Sequence, residues 1–505
     1  MSIPAAATSA SRKGILLGLA VLALAGFFVA IHIWGLPAKL RYPGELNFIE
    51  GMPLAEMIHL RQGAAIYAPA SERGYDATNF GPLYYLVGAR LIDPDRPAYL
   101  PLRVLSLVAT LGCALAAGWM AFRLAGNWIA APLAPLLFLS YGFVIRHGGS
   151  ARSDMVALLL VFAGFMVAHR FRESRALLWT APFMLVGFYY KQQFVAGPLA
   201  VLIFLLWEKR FRRAAEFTGL MVLGGLAFLA VIQFVLFPGQ DFLRHFVFYN
   251  VLPFAEVSLI SGIGFFAMIL LVPLLVSLEF LRLFPDRLLK CYLLCAFALA
   301  MLTVARAGSD TYYFLECVLI CSILFAALVG KRISEPARAV ELVVLLIVAL
   351  FVGQWFRTPI PSMQNFSQDR GVQEYLQQQF SRGTPALSYY AGDMVRAGLA
   401  LPFTNLYHYN QLIRKGVVSD RDMTGLLAHH YFGAVVLDFD LEKEGPNYYT
   451  EYYLTQSLRS AIRANYQLAT VLDMPGLEKL RDEARFYVWI PRAPGGVNPE
   501  APAHN

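Results

Sequence analysis

The side chains able to do chemistry gather in short stretches between apolar runs. Residues 36–101 carry Glu45, Glu50, Glu56 and Asp76. Further along stand Arg146-His147, Arg152-Ser153-Asp154 and an isolated Lys191. Asp241, Arg244, His245 and Glu256 follow, then Arg306, Asp310, Tyr312, Tyr313 and, a turn into an apolar run, Glu316. Ionisable groups at a membrane boundary are costly unless they are paired, solvated or used. Carboxylates from one loop meeting Arg and Lys from others suit a reaction on an anionic lipid headgroup. A carboxylate can take the proton of an acceptor hydroxyl or amine, and Arg and Lys can hold a phosphate leaving group. Plainer roles compete. Arg152 beside Asp154 reads equally as a helix cap with an ion pair, and Lys191 as a snorkelling lysine. Glu56 reads as the solvated face of an amphipathic helix, and Arg146-His147 as interfacial anchors. Glu316 resists a bland reading because it lies inside an apolar run.

The elements that must position these groups are membrane helices. Of 505 residues 58% are hydrophobic and 15% charged, against about half and a quarter in a soluble domain. About eleven apolar runs, near 14–34, 102–122, 128–145, 154–169, 176–190, 193–207, 216–237, 259–281, 289–305, 311–330 and 338–355, are suited to a hydrocarbon core ~30 Å thick. The first, after Arg12-Lys13, is too long for a cleaved signal peptide and is expected to stay as a helix. Lys and Arg concentrate in alternate connections, which puts the N-terminus in the cytoplasm and the C-terminal tail outside. All the ionisable clusters above then face the outer side. The net charge of +8 is accounted for by basic cytoplasmic loops, and no Lys/Arg-rich run points to nucleic acid.

The expected organisation is a transmembrane domain at 1–355, with its first outer loop at 36–101, and a small α/β domain at 356–505. In the loop, a helix from Pro53 and another at Leu83–Val87 read as interfacial. In the tail, strands are expected at Ala386–Tyr390, Ala434–Asp438 and Phe486–Ile490, and helices at Val372–Phe380, Asn405–Lys415, Arg421–His429 and Thr455–Asn465. Cys113, Cys291, Cys295, Cys317 and Cys321 all fall in apolar runs and read as small packing residues rather than metal ligands. His429-His430 read as packing or surface residues. No metal-binding residue is assigned.

Several of these stretches resemble a known family. Glu50-Gly51, a helix, Gly63-Ala64-Ala65-Ile66-Tyr67 and Gly81-Pro82-Leu83-Tyr84-Tyr85 resemble the first outer loop of GT-C glycosyltransferases. The nearest group is glycosyltransferase family 39, with the protein O-mannosyltransferases and the lipid A aminoarabinose transferase. Arg152-Ser153-Asp154-Met155, Lys191-Gln192 and Gly308-Ser309-Asp310-x-x-Tyr313-Phe314-x-Glu316 follow in the order seen in bacterial members. The resemblance implies an α-helical polytopic membrane enzyme of the bacterial inner membrane with a periplasmic tail. It implies an inverting transfer of sugar from a polyprenyl-phosphate donor to a lipid, glycan or protein acceptor. By position Glu50 is the catalytic carboxylate, alone or with Glu45. Arg152, Asp154, Lys191, Arg306, Tyr313, Glu316, Tyr84 and Asp76 are the substrate-binding set. Two positions depart from the family pattern: Ile49 stands where an acid precedes Glu50, and Gly81 where Pro-Pro-Leu begins. A divalent cation is left open as cofactor. The rival readings are a transporter or flippase for a lipid-linked glycan and a non-catalytic assembly subunit.

Overall fold

The computed structural model describes residues 12–47, 49–71, 74–355, 359–443, 454–473 and 485–493. The apolar runs all fall in helices, because a chain in lipid must satisfy its backbone internally. They are α1 (Arg12–Arg41), α4 (Leu100–Ala125), α5 (Ala130–Ser140), α7 (Asp154–Arg170), α8 (Thr180–Tyr190), α9 (Ala196–Trp207), α10 (Phe211–Val231), α11 (Glu256–Phe265), α12 (Leu271–Leu283), α13 (Arg287–Val304), α14 (Leu315–Arg332) and α15 (Pro336–Val352). Short π-helical turns continue α10 and join α11 to α12. Among the described residues, six of the resulting spans are long and apolar enough to cross a membrane. Helix α14 is buried almost along its whole length and forms the centre of the bundle, whereas α10 and the π-helical turn that continues it expose Leu223, Phe234 and Val235. An apolar helix with such an outer face needs lipid around it. The five cysteines are free and buried within the bundle.

Between α1 and α4 lies the first loop, with α2 (Gly51–Arg61) and α3 (Pro82–Leu91); α6 (Gly142–Gly148) links α5 to α7. The tail has α16 (Met363–Gln379), α17 (Ala391–Arg396), α18 (Leu406–Arg414), α19 (Asp420–Ala428) and α20 (Gln456–Asn465). Its strands are β1 (Ala386–Ser388), β2 (Ala434–Leu437), β3 (Tyr466–Asp473) and β4 (Arg485–Pro491). They make one sheet in the order β1-β2-β4-β3, with β1 parallel to β2 and the other pairs antiparallel. Strand β3 is not among the expected elements. It lies at the sheet edge with most side chains exposed, so its sequence lacks the alternation of a half-buried strand.

Helix α2 departs from the interfacial reading. Its residues Gly51–Ile58 are all buried, Glu56 included, because the tail lies over them. Met52, Ala55, Tyr75 and Ala77 of the loop share one apolar cluster with the tail's Leu387, Phe403 and Tyr409. The backbone is stitched too: Tyr75 N–H donates to Pro402 O at 2.7 Å, and Thr404 N–H to Tyr75 O at 3.1 Å. Glu56 accepts from Thr78 N–H and from the Thr404 hydroxyl, both at 2.9 Å. Glu45 accepts from Gly392 N–H at 2.8 Å. Arg396 makes two 2.8 Å bonds to Asp369 and reaches Asp393 at 3.3 Å. Gly392 is fixed by this contact, since a side chain there would strike Tyr99 and Glu45.

Burial, and next the charge of Asp76, raises the Glu56 carboxyl from an ordinary 4.5 to about 7. Burial and the facing Asp393 push Glu45 the same way, and burial raises Asp393 in turn. Groups raised in the folded state stabilise it fully below their unfolded pKa, and that contribution is lost as pH rises through the folded value. Purified protein is therefore expected to melt at a lower temperature at about pH 8 than at about pH 5. Glu56→Gln should flatten that slope, and a melting profile indifferent to both pH and this substitution would refute the assignment.

Candidate functional site

The first loop is held by one buried ion pair. Arg103, a turn into α4, is fully buried. Its Nε and Nη2 bond Glu50 at 3.1 and 2.7 Å. The remaining N–H groups bond the carbonyls of Lys39, Tyr42 and Gly44 at 3.1, 2.5 and 2.6 Å, and the Tyr99 ring lies against the guanidinium at 4.8 Å. Glu50 also accepts from Leu46 N–H at 2.7 Å and from Ala151 N–H at 2.5 Å. Every donor of the guanidinium is thus used. The Ala151 carbonyl is held in turn by the Tyr84 hydroxyl at 2.8 Å. That peptide leads directly into Arg152.

Arg152 bonds Asp154 at 2.9 Å and stands 3.9 Å from Asp310. Lys191 reaches the other oxygen of Asp154 at 2.5 Å and sits over Tyr312 at 4.1 Å and Phe80 at 5.0 Å. Lys191 is brought here by a break between α8 and α9, where the backbone turns extended. Gly81 makes the loop's approach to that break possible. Its N–H donates to Tyr190 O at 3.2 Å, and a side chain would collide with the Tyr189 and Tyr190 backbone. Arg146 reaches Asp310 at 3.4 Å, and His147 pairs with the Thr311 hydroxyl at 3.0 Å.

Above this cluster opens a cavity of about 400 Å³, within the range of small-molecule sites. Arg152, Lys191, Arg306, Tyr312 and Tyr313 line one part of it, and Tyr389, Asn405, Tyr407 and His408 of the tail form another. Ile49, Met52, Asn79, Phe80, Gln192, Gln193 and Asn250 complete most of the wall. The side chain of Arg306 is half-buried and has no hydrogen-bond or ion-pair partner among the described residues. His408 takes a 2.6 Å bond between its Nδ1 and the Tyr75 hydroxyl; burial, reinforced by Arg306, lowers its imidazole to about 3 and keeps it neutral.

The substrate-binding set read from the sequence separates here. Arg152, Lys191, Arg306 and Tyr313 line the cavity; Asp154 lies behind the first two, and Tyr84 supports them from below. Glu316 is buried away from the wall and accepts from the Tyr292 hydroxyl at 3.1 Å. Asp76 pairs with His59 at 2.9 Å on α2. Glu50 and Glu45 do not reach the wall. Glu50 is occupied by Arg103 and two backbone N–H groups, and Glu45 is turned to the tail. Sequence reading missed Arg103, whose only signal was a charge just inside an apolar run, and the tail residues of the cavity, for which no local signal exists.

No three His, Cys, Asp or Glu side chains group as metal ligands among the described residues. The wall offers cations, amides and phenols, a donor set unsuited to a hard divalent cation, which takes carboxylate oxygens.

This fold has counterparts among solved structures. The chain is similar to ArnT from Cupriavidus metallidurans bound to undecaprenyl phosphate, with TM-score 0.54 and 13% identity over 92% of this chain and 98% of that one. The same protein in the apo state gives TM-score 0.53 at 12% identity, covering 93% and 98%. The Archaeoglobus fulgidus oligosaccharyltransferase, in complex with Zn and sulfate, reaches 0.46 at 13% identity over 89% and 71%. No family model and no curated protein sequence matches. At the level of the fold the chain is similar to ArnT along nearly its whole length.

Removing Arg103 would leave Glu50 buried and three carbonyls unbonded. Arg103→Ala should cost about 3–5 kcal/mol of stability, read from thermal unfolding in detergent. The double variant Arg103→Met with Glu50→Leu should recover part of that loss. A double variant no better than the single one would show that the pair's charge is not what holds the loop.

Proposed function

We propose that this protein is an inverting glycosyltransferase that moves a sugar from a polyprenyl-phosphate donor to an acceptor at the outer face of the bacterial inner membrane. The observation that carries the reading is the convergence of Arg152, Lys191 and Arg306 on one cavity beside the first loop and the tail. In the proposed topology the apolar runs cross the membrane eleven times, the N-terminus is cytoplasmic and residues 356–505 are periplasmic. ArnT, whose fold this chain shares, was solved with undecaprenyl phosphate.

The chemistry asked of these residues is stabilisation of a departing phosphate. As the acceptor attacks the sugar's anomeric carbon, negative charge builds on the bridging and terminal phosphate oxygens. Preorganised cations aimed at that charge supply a large part of the rate. Lys191 and Arg152 are held ready by Asp154, so no reorganisation is needed when charge appears. Arg306, free of partners within the described residues, is the cation available to enter a new bond. The donor's lipid chain would leave the cavity sideways, past the exposed Val251 and Phe254. The acceptor, whether lipid, glycan or protein, would enter beneath the tail. In this reading Glu50 is a positioning residue that acts through Ala151 and Arg152.

The test is release of polyprenyl phosphate from a panel of polyprenyl-phosphate sugars by protein purified in lipid. Lys191→Ala and Arg306→Ala should each lower release by about a hundredfold, with the fold retained. Full release by both variants would remove these cations from the mechanism. Transport of labelled lipid without any transfer would favour the flippase.

A further inference from the structure

We propose that Asn79 and Gln192 bind the hydroxyl groups of the donor's sugar, because both line the cavity and their amide oxygens are buried with no hydrogen-bond partner among the described residues. The inference rests on the glycosyl-transfer reading and names the residues that would hold the sugar itself.

The other amides of the wall are spent on the fold. Gln193 donates to Tyr312 O at 3.5 Å and Asn250 to His245 O at 3.0 Å, and Asn405 accepts from His408 N–H at 3.0 Å. Asn79 and Gln192 are left over. A buried amide oxygen without a donor is destabilising, and such groups are exceptions that call for a reason. Their place in the wall supplies one. Gly81 N–H donates to Tyr190 O at 3.2 Å, which lays residues 79–81 against residues 190–192. Lys191 Nζ then stands 5.0 Å from the centre of the Phe80 ring. Asn79 precedes Phe80 and Gln192 follows Lys191, so the two amides flank that contact.

In the proposed reaction the phosphate lies on Lys191 and Arg152. Arg152 Nη1 is also buried without a hydrogen bond, 3.9 Å from Asp310, and offers N–H groups to phosphate oxygens. The phosphodiester has only acceptors, so it does not satisfy an amide oxygen. A hydroxyl does, and it also accepts from the nitrogen end of an amide. The sugar is joined to the phosphate through one bridging oxygen and so falls next to it, at Asn79 and Gln192. The unbonded groups thus sort the donor into a phosphate end and a sugar end.

The test uses the full chain in lipid, with the near-isosteric variants Asn79→Leu and Gln192→Met. Binding is read without acceptor, as displacement of a fluorescent polyprenyl phosphate. The competitors are polyprenyl phosphate alone and polyprenyl-phosphate glucose, mannose and galactose. For the best of the three sugars, each variant should weaken displacement about tenfold, the worth of one hydrogen bond. Polyprenyl phosphate alone should displace as it does from wild type. Removing an unbonded amide strands no partner, so each variant should melt no lower than wild type. Equal weakening of sugar-bearing and bare lipid, no weakening of either, or failure of every sugar donor to bind would overturn the assignment. A lower melting temperature would show that the amides serve the fold, and would overturn it too. Release of polyprenyl phosphate with a membrane extract as acceptor tests the transfer reading separately. Sugar-selective loss of binding with no release from any donor would sink transfer and leave the sugar subsite standing. Wild-type release by both variants would do the reverse.

Discussion

The structure depends on one buried guanidinium. Arg103 has left water completely, and an unpaired charge there would be costly by several kcal/mol. It is tolerable because Glu50 and three carbonyls meet all its N–H groups. The bonds fall on the end of α1, on the chain that leaves it and on the start of α2, so one side chain sets the course of the loop. The effect is passed on. Glu50 holds the Ala151 N–H, Tyr84 holds the Ala151 carbonyl, and the next residue is Arg152. The cationic wall of the cavity is therefore aligned by a pair that does not touch it.

The tail adds a second constraint. A loop of this length would have many conformations above a membrane, and ordering it carries a large entropic cost. Here it is sandwiched. The bundle fixes it from below through Arg103, and the tail covers it from above with Gly392, Phe403 and Thr404. Covering α2 removes Glu56 from water, and its bonds to Thr78 and Thr404 are what make that burial acceptable. The same closure brings Tyr389, Asn405, Tyr407 and His408 over the cavity. The site is thus walled by the first loop, by the middle of the chain and by the tail.

What the sequence disclosed follows from this layout. The apolar runs were legible because lipid imposes length and composition directly. Arg152, Asp154 and Lys191 were legible because charges at a helix start or break have few uses there. Gly81 looked like a flaw in a familiar motif, yet only a glycine lets the loop meet the Tyr190 carbonyl at that distance. The amphipathic reading of α2 failed because periodicity reports a polar face without saying what covers it. Arg103 was missed for a related reason: one arginine near the end of an apolar helix is usually interfacial, and its partners lie more than fifty residues away in sequence.

Ile49 and Glu50 show how far position alone can carry a role. They are neighbours at the start of α2, and a helical start sends adjacent side chains to different sides. Ile49 lies on the cavity wall, and Glu50 points into the Arg103 clamp. Their duties are divided accordingly. The buried position needs an anion, because a guanidinium and the Ala151 N–H converge on it. The cavity position faces no such pair of donors. An apolar residue there leaves the wall's charge to Arg152, Lys191 and Arg306. Glu50 therefore serves the architecture of the loop, and Ile49 faces the cavity.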